Sequence, residues 1–145
     1  MNENYDLIET ARHAGNFRIF LQALEATGLT ETLQRTGPYT ILAPLDDAFL
    51  KFPQTILHDL FKIENRASLQ SVLTNHITTG NLLSQDLKLR DQIRSMRGEE
   101  LRIESSAGLR VHEAQVITVD LEASNGVLHG LDALLLPQTS VATAR

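Results

Sequence analysis

The sequence contains no cysteine and no tryptophan, and only 5% of its residues are aromatic. Without cysteine, disulfide bonds, thiolate zinc sites and cysteine nucleophiles are excluded. No stretch approaches the roughly 20 apolar residues that a membrane-spanning helix requires, because Asp132 interrupts the longest apolar run, 131–136. We therefore expect a soluble protein.

The sequence also lacks an excess of cationic residues, and its formal net charge of -5 argues against a nucleic-acid partner. The densest basic stretch, 88–102, has acidic residues between its lysine and its arginines, so most of its charge cancels. We interpret this stretch as a solvated strand face, with a contact for an acidic glycan or protein as the alternative.

The apolar pattern changes along the chain, whose 145 residues fit one domain. Asn16 is a suitable N-cap, apolar residues then recur at helical spacing, and Gly28 ends the helix. From about Gln92 the apolar period becomes two, which indicates strands, and Asn125-Gly126 is typical of a type I′ hairpin turn. Helices followed by strands predict an α+β domain with a largely antiparallel sheet.

Three element boundaries are predicted in the same way. Pro53 suits the first position of a helix. A later helix opens at Asn65, and His76 continues its apolar stripe. The last strand is expected from Val127 to Leu136 and must be covered on both faces, since both are apolar.

Three segments of the sequence carry recognisable patterns. Residues 39–49 read as a short strand, an Ala-Pro pair, a polar cap and Ala-Phe, residues 73–77 centre on His76, and residues 125–137 run from Asn-Gly to Pro. The first and last of these segments resemble the two sequence boxes of the fasciclin domain family, and the middle one resembles its central histidine segment. The resemblance covers roughly 5–137, and its marker residues are Thr40, Ala43, Pro44, Asp46, Asp47, Phe49, His76, Asn125, Gly126, His129 and Asp132.

The resemblance implies N-terminal helices packed on a wedge-shaped, largely antiparallel β-sandwich over residues 5–137, with flexible tails at 1–4 and 138–145. It also implies a non-enzymatic adhesion or binding module of the cell surface or envelope. Such a module contacts a protein or glycan, needs no cofactor or metal, and is a monomer or weak oligomer. The acidic, polar residues 1–6 are not a secretory signal, so the protein stays inside the cell or the sequence begins after a removed signal.

Two positions depart from the family pattern. Leu45 stands where a small hydroxyl residue is usual after Ala-Pro, although Asp46 or Asp47 could still cap the following helix. Asn75 precedes the central histidine, where adhesive members often carry an aromatic residue. Integrin-type adhesion is therefore not inferred.

His76 is the residue that most invites a catalytic interpretation. Its place on an apolar stripe predicts burial, and an unpaired buried ring nitrogen would cost about 1–3 kcal/mol. In related domains the equivalent histidine hydrogen-bonds the loop after the first box, which corresponds here to residues 45–47. We expect a structural role; the alternative is a general base that works with Asp46 or Asp47.

His129 and Asp132 could form a metal site with His112 or His76. A metal needs three or four converging ligands, and on a strand positions 129 and 132 point to opposite faces. We therefore expect structural hydrogen bonds. Nucleophile-elbow and phosphate-loop motifs are absent from the sequence. A carrier of a small apolar ligand, such as a pigment or lipid, is the alternative function, with a groove between the N-terminal helices and the strands.

Overall fold

The computed structural model describes residues 5–35, 37–51, 54–62, 65–106, 108–112 and 114–135. The helices in these ranges are α1 Leu7–Ala14, α2 Arg18–Thr27, α3 Leu29–Thr32, α4 Asp46–Leu50, α5 Gln54–Leu60, α6 Arg66–Thr74 and α7 Ser84–Lys88. The strands are β1 Tyr39–Pro44, β2 Ile77–Thr79, β3 Gln92–Arg94, β4 Glu100–Glu104, β5 Arg110–Val111, β6 Ala114–Ala123 and β7 Gly126–Leu131. Pro53, residues 136–137 and both predicted tails lie outside the described residues.

The seven described strands form one sheet in the order β2-β1-β7-β6-β5-β4-β3. Only β1 and β7 are parallel, in a register from Tyr39↔Gly126 to Pro44↔Leu131, and the other pairs are antiparallel. The sheet is not closed, but Met96 N donates to Ile77 O at 2.7 Å, which brings the segment after β3 against the opposite edge strand. The predicted α+β class with a largely antiparallel sheet is confirmed.

The start of α1 and the end of α2 follow local capping rules. In α1, Glu9 N donates to the Asp6 carboxylate and Asp6 N donates to the Glu9 carboxylate, a capping box that the Asp-x-x-Glu spacing encodes. The predicted end of α2 at Gly28 is confirmed, with φ of 79°. The predicted N-cap is wrong, because Phe17 and not Asn16 occupies that position.

The predicted ends of α6 and β7 are also wrong. Helix α6 ends at Thr74, so His76 lies outside it, because residues 77–79 pair with β1 as strand β2. Strand β7 ends at Leu131 and not at Leu136. All six of its residues are buried, as expected of a strand that lies between two neighbours and is covered on both faces.

Two apolar clusters cover the faces of the sheet. The first joins α1, α2, α3 and α6 to β1 and β7, with Phe17, Phe20 and Leu128 among its members. The second lies among the strands and contains Leu101, Leu131 and Leu135. No helix within the described ranges has the length and apolar character needed to cross a membrane.

Candidate functional site

Asp46 caps a helix, but not the helix predicted. It is the first residue of α4, whose N-cap is Leu45 and lacks a side-chain cap hydrogen bond. Its carboxylate instead accepts from Ile19 N at 2.9 Å, in the first turn of α2, and its own N–H donates to Asn16 O at 2.9 Å. Because Phe17 has no capping side chain, Asp46 supplies the missing acceptor from another part of the chain.

His76 and Asn75 hold one backbone residue between them. Leu135 N donates to His76 Nε2 at 2.8 Å, and Asn75 Nδ2 donates to Leu135 O at 2.9 Å. His76 Nδ1 donates to Val72 O at 2.8 Å, and Asn75 Oδ1 accepts from Ser95 Oγ at 3.1 Å. We call Asn75, His76 and Leu135 the Leu135 clamp. The predicted burial of His76 is confirmed, but its predicted bond to residues 45–47 is wrong.

The hydrogen bonds of the Leu135 clamp assign the state of the imidazole. A carbonyl only accepts and an amide N–H only donates, so His76 is the neutral tautomer with its proton on Nδ1. Burial lowers its pKa to about 4, and the bond to the Val72 carbonyl offsets only part of this effect. The ring also lies edge-on to Phe20 of α2, with centroids 6.3 Å apart. His76 therefore joins α6, α2 and the segment after β7.

His129 lies at the centre of a second buried polar group. Its Nε2 donates to Leu82 O at 2.8 Å, and its Nδ1 accepts from Asp120 N at 3.2 Å. Burial lowers the pKa of His129, while the Leu82 carbonyl and the Asp120 carboxylate act in the opposite direction. Thr40 Oγ1 accepts from Leu82 N and donates to Gly80 O, both at 2.8 Å. We call Thr40, Leu82, Asp120 and His129 the His129 cluster.

Asp120, which the sequence did not single out, completes this cluster. Its φ of 61° and the register shift between Thr118 and Leu121 mark a β-bulge in β6. Its carboxylate accepts from both Ser84 N and Ser84 Oγ at 2.7 Å, at the start of α7. Side chains from three neighbouring strands thus hold residues 80–84.

Asn125 is a connector and not a residue of a type I′ turn. The hairpin between β6 and β7 exists, but Ala123 pairs with Gly126, so its loop is Ser124-Asn125. Among the described non-glycine residues, positive φ occurs at His112 and Asp120, whereas a type I′ turn requires it at both loop positions. The turn type predicted was therefore wrong.

The side chain of Asn125 links three separate segments. Its Oδ1 accepts from Leu7 N at 2.9 Å, and its Nδ2 donates to Leu33 O and Arg35 O, both at 2.7 Å. Gly126 next to it has a different requirement, because a Cβ there would overlap the Tyr39 carbonyl oxygen. The parallel pairing of β1 with β7 therefore needs glycine at this position.

Asp132 and His129 do not share a ligand site. Asp132 lies after the end of β7, where its carboxylate accepts from Gln115 N at 2.8 Å. Its backbone oxygen accepts from Lys51 Nζ at 3.2 Å. Within the described ranges no group of three His, Asp or Glu residues has metal-binding geometry.

The other residues of the first box pack or remain exposed. Ala43, Pro44 and Phe49 are buried, whereas Asp47 is exposed. In the basic stretch 88–102, ion pairs form at 3.3 Å between Arg94 and Glu100 and between Arg97 and Glu99. This pairing fits the predicted solvated strand face.

Comparisons with known proteins place the chain among related sequences. It matches the fasciclin domain family over residues 15–137. Protein sll1483 of Synechocystis sp. is 33% identical over 132 residues, which cover 90% of this chain and 73% of that protein. Transforming growth factor-beta-induced protein ig-h3 of Sus scrofa is 30% identical over 132 residues, which cover 90% of this chain but 19% of that protein.

The fold has a counterpart among solved structures. A FAS1 domain pair from the insect cell adhesion molecule Fasciclin I superposes with a TM-score of 0.82 at 18% identity, and the match covers 95% of this chain and 53% of that chain. The Ala-Pro and Asn-Gly boxes and the central histidine all lie within residues 15–137, which the family model matches. The chain belongs to the fasciclin domain family.

Proposed function

We propose that this fasciclin domain is a non-enzymatic adhesion or binding module that acts at the cell surface or in the envelope through contacts with a protein or glycan. The observation that carries the proposal is that both buried imidazoles use both ring nitrogens on backbone groups. These side chains maintain the positions of loops, and the loops and helix faces outside them are available for recognition.

The same hydrogen bonds argue against acid–base catalysis by His76. A general base needs a ring nitrogen within reach of a substrate proton and a pKa near the working pH. Both nitrogens of His76 are engaged, its side chain is fully buried, and its pKa is lowered to about 4. Its partners are Val72 and Leu135, and not the aspartates of the first box.

The relatives support the adhesion part of the proposal. The domain shares its fold with a FAS1 domain pair from an insect cell adhesion molecule, and adhesion between cells takes place at the cell surface. We propose the same kind of location for this domain. The partner itself is defined by the exposed surface and not by the motif residues.

Binding to envelope material tests the proposal directly. The purified domain, immobilised on a sensor surface, is exposed to envelope fractions that are untreated, protease-treated or periodate-treated. We expect saturable binding that protease or periodate removes, because the first destroys proteins and the second destroys glycans. No binding to any fraction would contradict the proposal. A pigment or lipid released from the purified domain by organic solvent would instead favour the apolar-ligand carrier.

A further inference from the structure

An open groove runs across the helical side of the domain, away from the buried motif residues. It lies between α1, α2 and α4, and its volume is ≈ 710 Å³. Its lining residues are Arg12, Arg18, Ile19, Leu21, Gln22, Asp46 and Leu50. We call it the α2 groove.

The α2 groove is cationic in a chain of net charge -5. Neither Arg12 nor Arg18 forms an ion pair among the described residues, in contrast to Arg94, Arg97 and Arg102 on the strands. Among the described residues that line the groove, Asp46 alone carries a carboxylate, and one oxygen of it accepts from Ile19 N. Within the described part of the chain, two exposed guanidinium groups therefore face the groove without an ionic partner.

The positive charge of Arg18 does not stabilise α2, the helix that carries it. Arg18 begins α2, where the helix dipole favours an acidic side chain and disfavours a cation. Arg12, in the last turn of α1, is placed as the dipole prefers. The dipole therefore accounts for Arg12 but not for Arg18, and a locally unfavourable residue often marks a functional surface.

Apolar side chains lie beside these charges. Leu50 is 60% exposed at the end of α4, and Ile19 and Leu21 are only partly buried. A second depression of ≈ 280 Å³ shares Ile19 and Gln22 with the groove and is also lined by Gln54, His58 and Phe61. The surface is thus elongated, with two arginines at one end and a mixture of apolar and polar side chains beyond them.

We propose that the α2 groove binds an acidic peptide segment of a protein partner, with carboxylates on Arg12 and Arg18 and an apolar side chain against Leu50 and Ile19. The inference rests on the proposed binding function and gives the partner's chemistry. An elongated, open surface suits an extended chain better than an enclosed small molecule. An acidic polysaccharide would pair with the arginines but has no apolar side chain for Leu50.

Three fluorescent peptides test the proposal on the intact chain. The first is acidic with a central leucine, the second is acidic with glycine in its place, and the third is the first with lysines for the acids. We expect only the first to bind measurably, with affinity that falls as salt rises. Addition of the first peptide should change the amide chemical shifts of the protein mainly in α2 and at residues 12 and 50.

The chain offers matched control variants, because Arg90 and the 87%-exposed Leu89 form an exposed pair outside the groove. Arg12→Glu and Arg18→Glu should each weaken binding roughly tenfold, and Leu50→Ser roughly fivefold. Arg90→Glu and Leu89→Ser should leave it within about twofold. Equal losses of peptide affinity in the groove variants and the control variants, or equal binding of all three peptides, would overturn the proposal.

Envelope binding by the double variant Arg12→Glu, Arg18→Glu separates this inference from the proposed function. Loss of envelope binding, with wild-type spectra for the fold, supports the groove. Envelope binding as strong as that of the wild type overturns the groove but leaves the proposed function standing. Binding of the wild type to polysaccharide or to anionic lipid vesicles through the same arginines, without peptide binding, also overturns it.

Discussion

The two buried histidines solve the same problem with opposite tautomers. In the Leu135 clamp, His76 donates from Nδ1 to a carbonyl and accepts at Nε2 from an amide. In the His129 cluster, His129 donates from Nε2 and accepts at Nδ1. Each ring joins two backbone segments that no strand ladder connects, and each can do so only while neutral.

The two regions differ in what would remain if the imidazole were lost. Residues 80–84 are also held by Thr40 and by the carboxylate of Asp120, so His129 shares its role. The backbone of Leu135 has two side-chain partners, His76 and Asn75, and the ring alone serves its N–H. Because more side-chain bonds support His129 than support His76, the loss of His129 should destabilise the protein less.

The largest expected effect is that of His76→Ala. The substitution leaves a cavity beside Phe20 and orphans the buried Leu135 N–H and Val72 carbonyl, so we expect a loss of about 4 kcal/mol in the free energy of unfolding. His129→Ala removes the partners of the Asp120 N–H and the Leu82 carbonyl but should cost less, about 2 kcal/mol, because Thr40 and the Asp120 carboxylate keep their bonds to residues 80–84. Urea unfolding of both variants measures the difference.

Exposed His58 provides the control for this pair, and His58→Ala should change stability by less than about 0.5 kcal/mol. Equal losses for His76→Ala and His129→Ala would show that the neighbours of His129 do not share its role. Wild-type stability of His76→Ala would remove the structural role assigned to the Leu135 clamp.

Lowering the pH should reduce the stability that the buried His76 contributes to the folded protein. The folded-state pKa of His76 is about 4 and its ordinary value is 6.5, so the unfolded chain binds more protons between these values. The stabilising contribution is complete above pH 6.5, decreases as the pH falls, and is lost by about pH 4. This shift in the pKa of His76 corresponds to about 3 kcal/mol in the free energy of unfolding.

Urea unfolding at pH 7 and at pH 4.5 measures this dependence. His76→Gln removes the titrating group, so this variant should lose less stability between the two pH values than the wild type does. His129 has a pKa shift of the same sign, since burial lowers its pKa, and it should add a pH dependence of the same direction in both proteins. A wild type and a variant with identical pH profiles would contradict the account of His76.

Asn125→Ala should have an intermediate effect that does not depend on pH. The change removes hydrogen bonds to Leu7, Leu33 and Arg35, but these groups are partly accessible to water, so we expect a loss of about 2 kcal/mol. Ser124→Ala next to it is the control, because Ser124 is exposed. Thermal unfolding at neutral pH compares the two, and equal melting temperatures would argue against the connecting role of Asn125.

The smallest effect expected is that of Asp46→Ala. It removes the acceptor for Ile19 N at the start of α2 and should cost about 1 kcal/mol. Asp47→Ala removes an exposed carboxylate on the same turn and should cost less than about 0.5 kcal/mol. Hydrogen exchange at Ile19 provides a local readout, and unchanged protection in Asp46→Ala would contradict the cap.

The sequence predicted what local pattern controls. Helix α2 up to Gly28, strand β1, the change to strands and the burial of His76 all follow from spacing and chain stiffness. The partners of the polar side chains could not be predicted, because Leu135 lies 59 residues from His76 and Asn125 lies 118 residues from Leu7. Only the assembled sheet brings such residues together.

Two misses had a signal that could have been used. The Asp6-Glu9 spacing encodes the capping box that begins α1. Asn75, interpreted as a departure from the family pattern, is a fully buried amide beside a buried histidine, which calls for a partner with both a donor and an acceptor. Leu135 provides the acceptor for Asn75 Nδ2 and the donor for His76 Nε2, and Ser95 Oγ donates to Asn75 Oδ1. The bulge at Asp120 had no such local signal.

The imidazole of His76 tests the central claim most directly. Its ring-nitrogen chemical shifts, followed by NMR from pH 8 to pH 4, report both the tautomer and the titration. The account predicts a proton on Nδ1, a bare Nε2 that accepts from Leu135, and a neutral ring until the pH approaches about 4. A ring protonated on Nε2 at neutral pH, or one that titrates near 6.5 in the folded protein, would contradict it.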